Sequence, residues 1–389
     1  MTSKVSLLFF SDLDKNNFKG LRVNGYLSYM SENHINFEFN GFERNKILST
    51  NARVKFFLSF HILKFLNLIN LFFNIRSTLI RHIVCKLMSY EFILRSQLLP
   101  NDIFFTQPYF LDAIKYAKKR GLRVIIESDN DHPAFVWDKI AQSQSEANLL
   151  DKKIRDPWNY YPYVRNAIES IKFSDSVIVF NDHARSTFLE RGISEDRLFT
   201  YIPPPDHIHS PAKFTSLTPE FVWVGNRAAI KGLHLLIEAW REYKVEGGNG
   251  ALFICGSLGD SGKEIIKRIN DRDNIIKLGT VNLMDFFSER NRVIVQPSYS
   301  EGFPRSVALA MNSCSPCILS EAAGSRYLDD SQDGWSIKLN KESIKEKLFL
   351  CSSNWKSVPG IGTNARKTIN RITKDYYSKV FKEVIRINE

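Results

Sequence analysis

The sequence is short of cysteine, with five in 389 residues: Cys85, Cys255, Cys314, Cys317 and Cys351. So odd and sparse a set argues against a disulfide framework. Cys314-Ser315-Pro316-Cys317 has CxxC spacing, but no second cysteine or histidine pair lies near enough to complete a zinc site. The pair runs directly into apolar Ile318-Leu319 and reads as packing, with a redox or metal role as the alternative. A clean hydrophobic span is also missing. Residues 56–75 reach the roughly 20 positions a bilayer requires, but His61, Lys64, Asn67, Asn70 and Asn74 interrupt them. There is no internal repeat, no low-complexity tract and no zinc-finger, RNP-like or helix-turn-helix signature, so a nucleic acid is not the expected partner. The first ten residues carry one lysine and a short apolar run, and Asp12 and Asp14 follow without a small-residue cleavage site. A cytoplasmic protein without a signal peptide is expected.

Basic charge is what the chain has in excess. Its 53 Lys and Arg outnumber 42 Asp and Glu, for a net charge of +11. An acidic partner follows: nucleic acid, an anionic membrane surface or a phosphorylated substrate. With 43% hydrophobic and 24% charged residues the chain can bury two ordinary cores. Residues 52–99 crowd apolar clusters such as Phe56-Phe57-Leu58 and Leu71-Phe72-Phe73 among Arg53, Lys55, Lys64, Arg76, Arg81 and Lys86. That mixture fits a helix lying in a membrane interface, or a core helix pair with basic outer faces.

Short apolar runs separated by helical stretches and glycine stops read as βα units. In the first half the strands are expected at 5–10, 102–106, 123–127 and 176–180, with helices at 111–120 and 183–191. Pro203-Pro204-Pro205, Pro211 and Pro219 break the pattern and mark a hinge. A second series follows. Its strands are expected at 221–224, 251–255, 275–279, 292–296 and 317–320, with helices at 231–243 and from 306 to 311. Residues 365–386 read as one terminal amphipathic helix. The expected organisation is a first Rossmann-like α/β domain at 1–205, a linker at 206–220, a second α/β domain at 221–365 and a C-terminal helix at 366–389 that packs back on the first domain. Two such sheets facing each other create a cleft at their carboxyl ends.

Three strand exits in the second half carry chemistry. The first is Gly225-Asn226-Arg227-Ala228-Ala229-Ile230-Lys231-Gly232, where Arg227, Lys231 and a helix N-terminus can meet phosphate charge; a plain turn with two solvated cations is the alternative. The second is the glycine-rich stretch from Gly256 to Gly262, equally readable as an ordinary exit. The third is Pro297-Ser298-Tyr299-Ser300-Glu301-Gly302-Phe303-Pro304, where a carboxylate at a strand end can bind a sugar hydroxyl or cap the following helix.

In order and spacing these pieces resemble the donor domain of the family 4 retaining glycosyltransferases of the two-domain GT-B type. The resemblance takes in the Gly225 to Gly232 loop, Leu233-His234-Leu235-Leu236-Ile237-Glu238-Ala239-Trp240, Leu252-Phe253-Ile254-Cys255-Gly256, Leu278-Gly279-Thr280-Val281, Pro297 to Pro304, Glu321-Ala322-Ala323-Gly324-Ser325 and Asp333-Gly334. It implies a GT-B fold, a nucleotide-sugar donor and transfer with retention. Lys231 matches the lysine that holds the donor diphosphate, with Arg227 one place later than the usual arginine. Glu301 matches the glutamate that contacts the donor sugar. Gly225, Gly302, Phe303 and Pro304 complete the implied donor site. A second glutamate is due eight residues after Glu301, where this chain has Leu309, and Cys314 replaces a usual glycine.

The first half resembles the family loosely. Its stretch Ile125-Ile126-Glu127-Ser128-Asp129-Asn130-Asp131-His132-Pro133 makes His132 the candidate acceptor-side catalytic contact, with Glu127, Asp129 and Asp131 as neighbours for acceptor hydroxyls. A glycan or lipid-linked acceptor, no metal and no cofactor are expected, in a setting such as bacterial surface polysaccharide or lipopolysaccharide assembly. The chain is then peripheral at the inner face of the membrane through 52–99. A non-catalytic glycosyltransferase-like partner protein and a GT-B sugar-nucleotide epimerase are the alternatives.

Overall fold

Strands buried on both faces need apolar residues at every position, because helices cover each side of a parallel sheet. The runs Ile103–Thr106, Ser176–Val179 and Val293–Gln296 come close to this: three of the four residues in each are apolar, all four are buried, and the polar one stands at a strand end. A computed structural model describes residues 4–12, 18–42, 53–55, 62, 65, 77–150, 161–205 and 216–386. Residues 206–215 of the expected linker at 206–220, and most of the basic, apolar stretch between 52 and 76, fall outside the described residues; the last linker residue, Glu220, instead begins a strand of the second sheet.

The first sheet has seven parallel strands, β1 (Val5–Asp12), β2 (Phe37–Phe42), β3 (Arg53–Lys55), β4 (Ile103–Thr106), β5 (Arg123–Glu127), β6 (Ser176–Val179) and β7 (Leu198–Thr200), in the order β3-β2-β1-β4-β5-β6-β7. The second has six, β8 (Glu220–Val224), β9 (Ala251–Cys255), β10 (Ile275–Gly279), β11 (Val293–Gln296), β12 (Cys317–Leu319) and β13 (Gly334–Ser336), in the order β10-β9-β8-β11-β12-β13. Each sheet reverses its order once, between β1 and β4 and between β8 and β11. Crevices for ligands form at such reversals, outside the carboxyl ends of the strands. These are two Rossmann-like domains.

The C-terminal stretch differs from the single helix expected. The helix Val358–Thr373 ends, Asp375 takes φ +61°, and a short turn Tyr376–Lys379 continues into a π-helical turn at Val380–Ile385. The break has a packing cause. Ile369 lies in the core of the second domain with Val222 and Leu309, whereas Tyr376, Val380, Phe381 and Val384 lie against Val5, Leu7 and Phe105 of the first sheet. One straight helix cannot turn its apolar stripe to both cores.

Glu127 is not available to an acceptor, contrary to the sequence expectation. Its carboxylate is fully buried. It accepts from Arg22 Nε at 3.0 Å, forms an ion pair with the same guanidinium, and accepts from Tyr26 Oη at 2.5 Å. Tyr26 Oη lies 2.5 Å from Tyr376 Oη. Arg22 also stacks 4.8 Å from the centroid of the Phe180 ring. The buried ion pair therefore ties the end of β5 to the first helix, Phe18–Glu32, and to the returning C-terminal segment.

Candidate functional site

The crevice of the second sheet lies between the exits of β8 and β11, which pair through Val293 with Phe221 and Ile294 with Val222. From β8 the chain enters the Gly225 loop and then the helix Leu233–Val245. From β11 it enters Pro297–Pro304 and then the helix Arg305–Asn312, for which Pro304 is the N-cap. Gly232, at φ +67°, lets these two exits touch: a Cβ there would stand 2.0 Å from the Pro297 carbonyl oxygen. The loop is pinned further by Trp223, whose indole Nε1 donates to the Lys231 carbonyl at 3.0 Å.

These constraints set the Lys231 ammonium against the Glu301 carboxylate across the crevice, in an ion pair. Ser298 Oγ donates to the same carboxylate oxygen of Glu301 at 3.2 Å and accepts from Gln296 Nε2 at 3.0 Å. Ser320 Oγ holds the Ser298 carbonyl at 2.7 Å. A cation and a carboxylate, 70 positions apart in sequence, thus meet at the reversal of strand order. Arg227 is half-buried in the same loop, and Asn226 is exposed. The Gly225 N–H donates to the Cys255 carbonyl at 3.0 Å, joining the loop to the β9 exit. Phe303 packs with its ring centroid 6.3 Å from that of Tyr327.

The first domain presents its β5 and β6 exits to this crevice. Gly302 permits one close approach, where a Cβ would stand 2.2 Å from the Asp129 carbonyl oxygen. Asn181 caps the helix Asp182–Leu189, accepting from the Ala184 N–H at 2.6 Å. Its amide nitrogen donates to the carbonyls of Gly302 and, at 3.2 Å, of Ala322. Ser300 Oγ donates to Asp131 Oδ2 at 2.6 Å. The His183 ring lies between two acids, Nε2 3.6 Å from Asp131 Oδ2 and Nδ1 3.6 Å from Glu321 Oε1. Burial drives the Asp131 carboxyl well above the usual carboxylate range; the Ser300 hydrogen bond pulls it down, and the Glu301 charge adds to the rise. Burial lowers His183, with Glu321 pulling the other way.

His132 occupies a different place in this wall. It is the N-cap of the helix Pro133–Glu146, with Nδ1 accepting from the Ala134 N–H at 3.3 Å. Its own N–H donates to Thr187 Oγ1 at 2.9 Å, and its ring meets Phe188 edge-on at 5.1 Å. Burial, with the Arg191 charge, lowers its pKa to about 4, so the imidazole is neutral at pH 7. Asp129 is reached by Tyr109 Oη at 3.3 Å. Residues 181–183 and Tyr327 were not singled out from the sequence, and Ser300 was named only as part of the Pro297–Pro304 stretch, without a role of its own. The one available signal was Asn181-Asp182-His183, three polar residues at the exit of an apolar strand.

Two departures from the family pattern have a structural counterpart. Leu309 is 2% exposed in the core with Val222, Cys255, Phe287 and Ile294, so its side chain has neither the position nor the polarity to hold a ribose. Cys314 takes φ +62°, a left-handed backbone that favours glycine. Cys314 and Cys317 are free thiols, and burial pushes the Cys317 thiol up. Among the described residues no group of His, Cys, Asp and Glu is arranged to hold a metal ion.

The family model described as glycosyl transferases group 1 matches residues 218–351, the domain that carries Lys231 and Glu301. Over its whole length the chain is similar to several solved structures. One is sucrose-phosphate synthase from Thermosynechococcus elongatus, at 14% identity and TM-score 0.65 over 96% of this chain and 95% of that one. Another is a TarM variant from S. aureus, solved with fondaparinux, alpha-GlcNAc-glycerol and UDP, at 13% identity and TM-score 0.67 over 100% of both chains. A third is WaaG, a glycosyltransferase involved in lipopolysaccharide biosynthesis, at 12% identity and TM-score 0.61 over 97% of this chain and 98% of that one. No curated protein matches the sequence. The two facing Rossmann-like domains are those of the GT-B glycosyltransferase fold.

Proposed function

From that fold and the group 1 domain, we propose that the chain is a glycosyltransferase moving a sugar from a nucleotide-sugar donor to a glycan or lipid-linked acceptor with retention. The observation that carries this is the Lys231–Glu301 pair at the β8/β11 crevice. A nucleotide-sugar brings a diphosphate for the ammonium and hydroxyls for the carboxylate, so each member of the pair gains a partner of matching chemistry. As the bond from sugar to diphosphate breaks, negative charge develops on the departing oxygen. Lys231, Arg227 and the N-terminal amides of the helices Leu233–Val245 and Arg305–Asn312 are disposed to stabilise it. No metal ion or cofactor is part of this proposal.

Retention is what the resemblance of the donor domain to the retaining family implies. Glycosidase-like chemistry uses two opposed carboxylates; here Glu301 is held by Lys231 and Ser298, and Asp131 is hydrogen-bonded to Ser300. The acceptor then attacks from the face the diphosphate leaves, and its proton passes to the departing oxygen. Contact between the domains at Gly302, Asn181 and Asp131 keeps water from the reacting centre. Leu309 leaves the ribose to be held by other groups, and it also favours a second reading, a non-catalytic relative that supports a partner enzyme. Donor turnover by the purified chain alone, with the anomeric configuration of the product read by NMR, tests the proposal. Retention is expected, and inversion contradicts it.

The acceptor is proposed to be membrane-proximal, in bacterial surface polysaccharide or lipopolysaccharide assembly, with the chain in the cytoplasm and docked at the inner face. Support comes from the net charge of +11 and from the helix Ser77–Arg95, which exposes Tyr90 at 54% and Leu94 at 85%. No helix among the described residues is long and apolar enough to cross a membrane. Cosedimentation with vesicles containing anionic lipid at low salt is expected, falling as salt screens the charge. Equal recovery with neutral and anionic vesicles would remove the membrane from this picture.

A further inference from the structure

Beside the cleft, on its hinge side, lies a cavity of about 350 Å³ that the donor site does not use. Four separate segments build it, the first being the β6 exit with Asp182. The β7 exit supplies Tyr201 and Ile202, the second domain supplies Tyr327, and the break in the C-terminal helix supplies Arg371, Lys374, Tyr376 and Lys379. The volume lies within the range of small-molecule sites, near its lower end.

Its walls are preformed. Tyr201 Oη donates to Glu383 Oε2 at 2.5 Å, which fixes that ring. Tyr327 Oη accepts from the Asp182 N–H at 3.0 Å, which bridges the two domains over the cavity. Ile202 and Tyr376 are buried beneath. The lining holds three cations, Arg371, Lys374 and Lys379, and one carboxylate, Asp182. Aromatic walls, an acceptor for hydroxyls and a cationic rim match a sugar that carries an anion. A neutral sugar would leave the cations unused, and a bare inorganic ion would leave the aromatic walls unused.

The cavity also has the right address. Asp182 precedes His183, which faces Asp131, and Asp131 holds Ser300 beside Glu301. The cavity lining and the wall of the transfer site therefore share the β6 exit, Asp182 facing the one and His183 the other.

We propose that this cavity is a subsite for an acidic sugar of the acceptor, one bearing a phosphate or a carboxylate, with Arg371 and Lys374 as its anion contacts. The inference rests on the glycosyltransferase reading for the word acceptor, while the site itself stands on the cavity. Isothermal titration of the full chain at low salt tests it, with glucose 6-phosphate, glucuronate and glucose as probes. Tighter binding of glucose 6-phosphate or glucuronate than of glucose is expected, and the tighter of the two identifies the anion. Arg371→Gln with Lys374→Gln is expected to weaken it at least about tenfold, the loss of charge-assisted hydrogen bonds, and leave the neutral probe unchanged. Both side chains are exposed, so glutamine disturbs no core.

Lys231→Ala serves as the control for the donor site. It is expected to weaken nucleoside diphosphate binding and to spare the acidic sugar. If the double variant binds acidic sugars as the parent does, if Lys231→Ala abolishes that binding, or if acidic and neutral sugars bind alike, the cavity is not this subsite. Acidic-sugar binding that depends on Arg371 and Lys374 in a chain with no affinity for nucleoside diphosphates would uphold the subsite and overturn the donor assignment. The two failures are thus separable.

Discussion

Lys231→Ala is expected to lower kcat for sugar transfer by about 10²- to 10³-fold, the usual cost of removing one preorganised group that meets charge developing in the transition state. The loss should appear in kcat and in kcat/KM together, because the ammonium acts on charge that grows as the bond to diphosphate breaks. The fold is expected to survive. The hydrogen bond that pins this loop uses the Lys231 carbonyl, which alanine keeps. Lys231→Arg retains the charge but not the compact ammonium, and is expected to fall between the two. Wild-type turnover in the alanine variant would remove Lys231 from the chemistry.

Glu127→Ala carries the largest expected effect on stability, about 3–5 kcal/mol, because it leaves the Arg22 guanidinium buried without its counter-charge. The loss reaches beyond one ion pair. Tyr26 loses its acceptor, and Tyr26 in turn touches Tyr376 of the returning segment. A lower melting temperature and earlier proteolysis within residues 374–386 are both expected. Arg22→Met combined with Glu127→Leu should recover much of the loss, since a buried pair replaced by apolar groups of similar size is close to neutral. An unchanged melting temperature for Glu127→Ala, or a double variant no better than the single one, would refute this role.

Much of the architecture was legible because parallel strands leave a simple trace. β5, β9 and β10 were located to the residue from runs of five closed by a turn or a glycine. The three-residue strands β3, β7 and β13 were missed, being too short to show a period, and β2 was missed as well, whereas three-residue β12 was betrayed by its apolar run Cys317-Ile318-Leu319. The break at Asp375 was also hidden. No glycine or proline marks it, and its cause is the division of one apolar stripe between two cores.

The candidate site divides along similar lines. Lys231 and Glu301 were visible as strand-exit residues, and the reversal of strand order explains why two distant exits meet. Glu127 was misjudged because nothing in its local sequence reveals Arg22, 105 positions away. Asp131, Ser300, His183 and Asn181 acquire a common purpose only when one domain is set against the other. His132 has the sequence of a functional histidine and the geometry of a helix cap.

The most direct measurement is donor turnover by the purified chain with no partner protein, using UDP-, GDP-, ADP- and dTDP-sugars and following release of the nucleoside diphosphate. A glycosyltransferase built on the Lys231–Glu301 pair is predicted to turn over at least one of them, with retention, and to lose that turnover in Lys231→Ala. A folded chain that neither binds nor consumes any of the four would contradict the enzymatic assignment and leave the non-catalytic alternative.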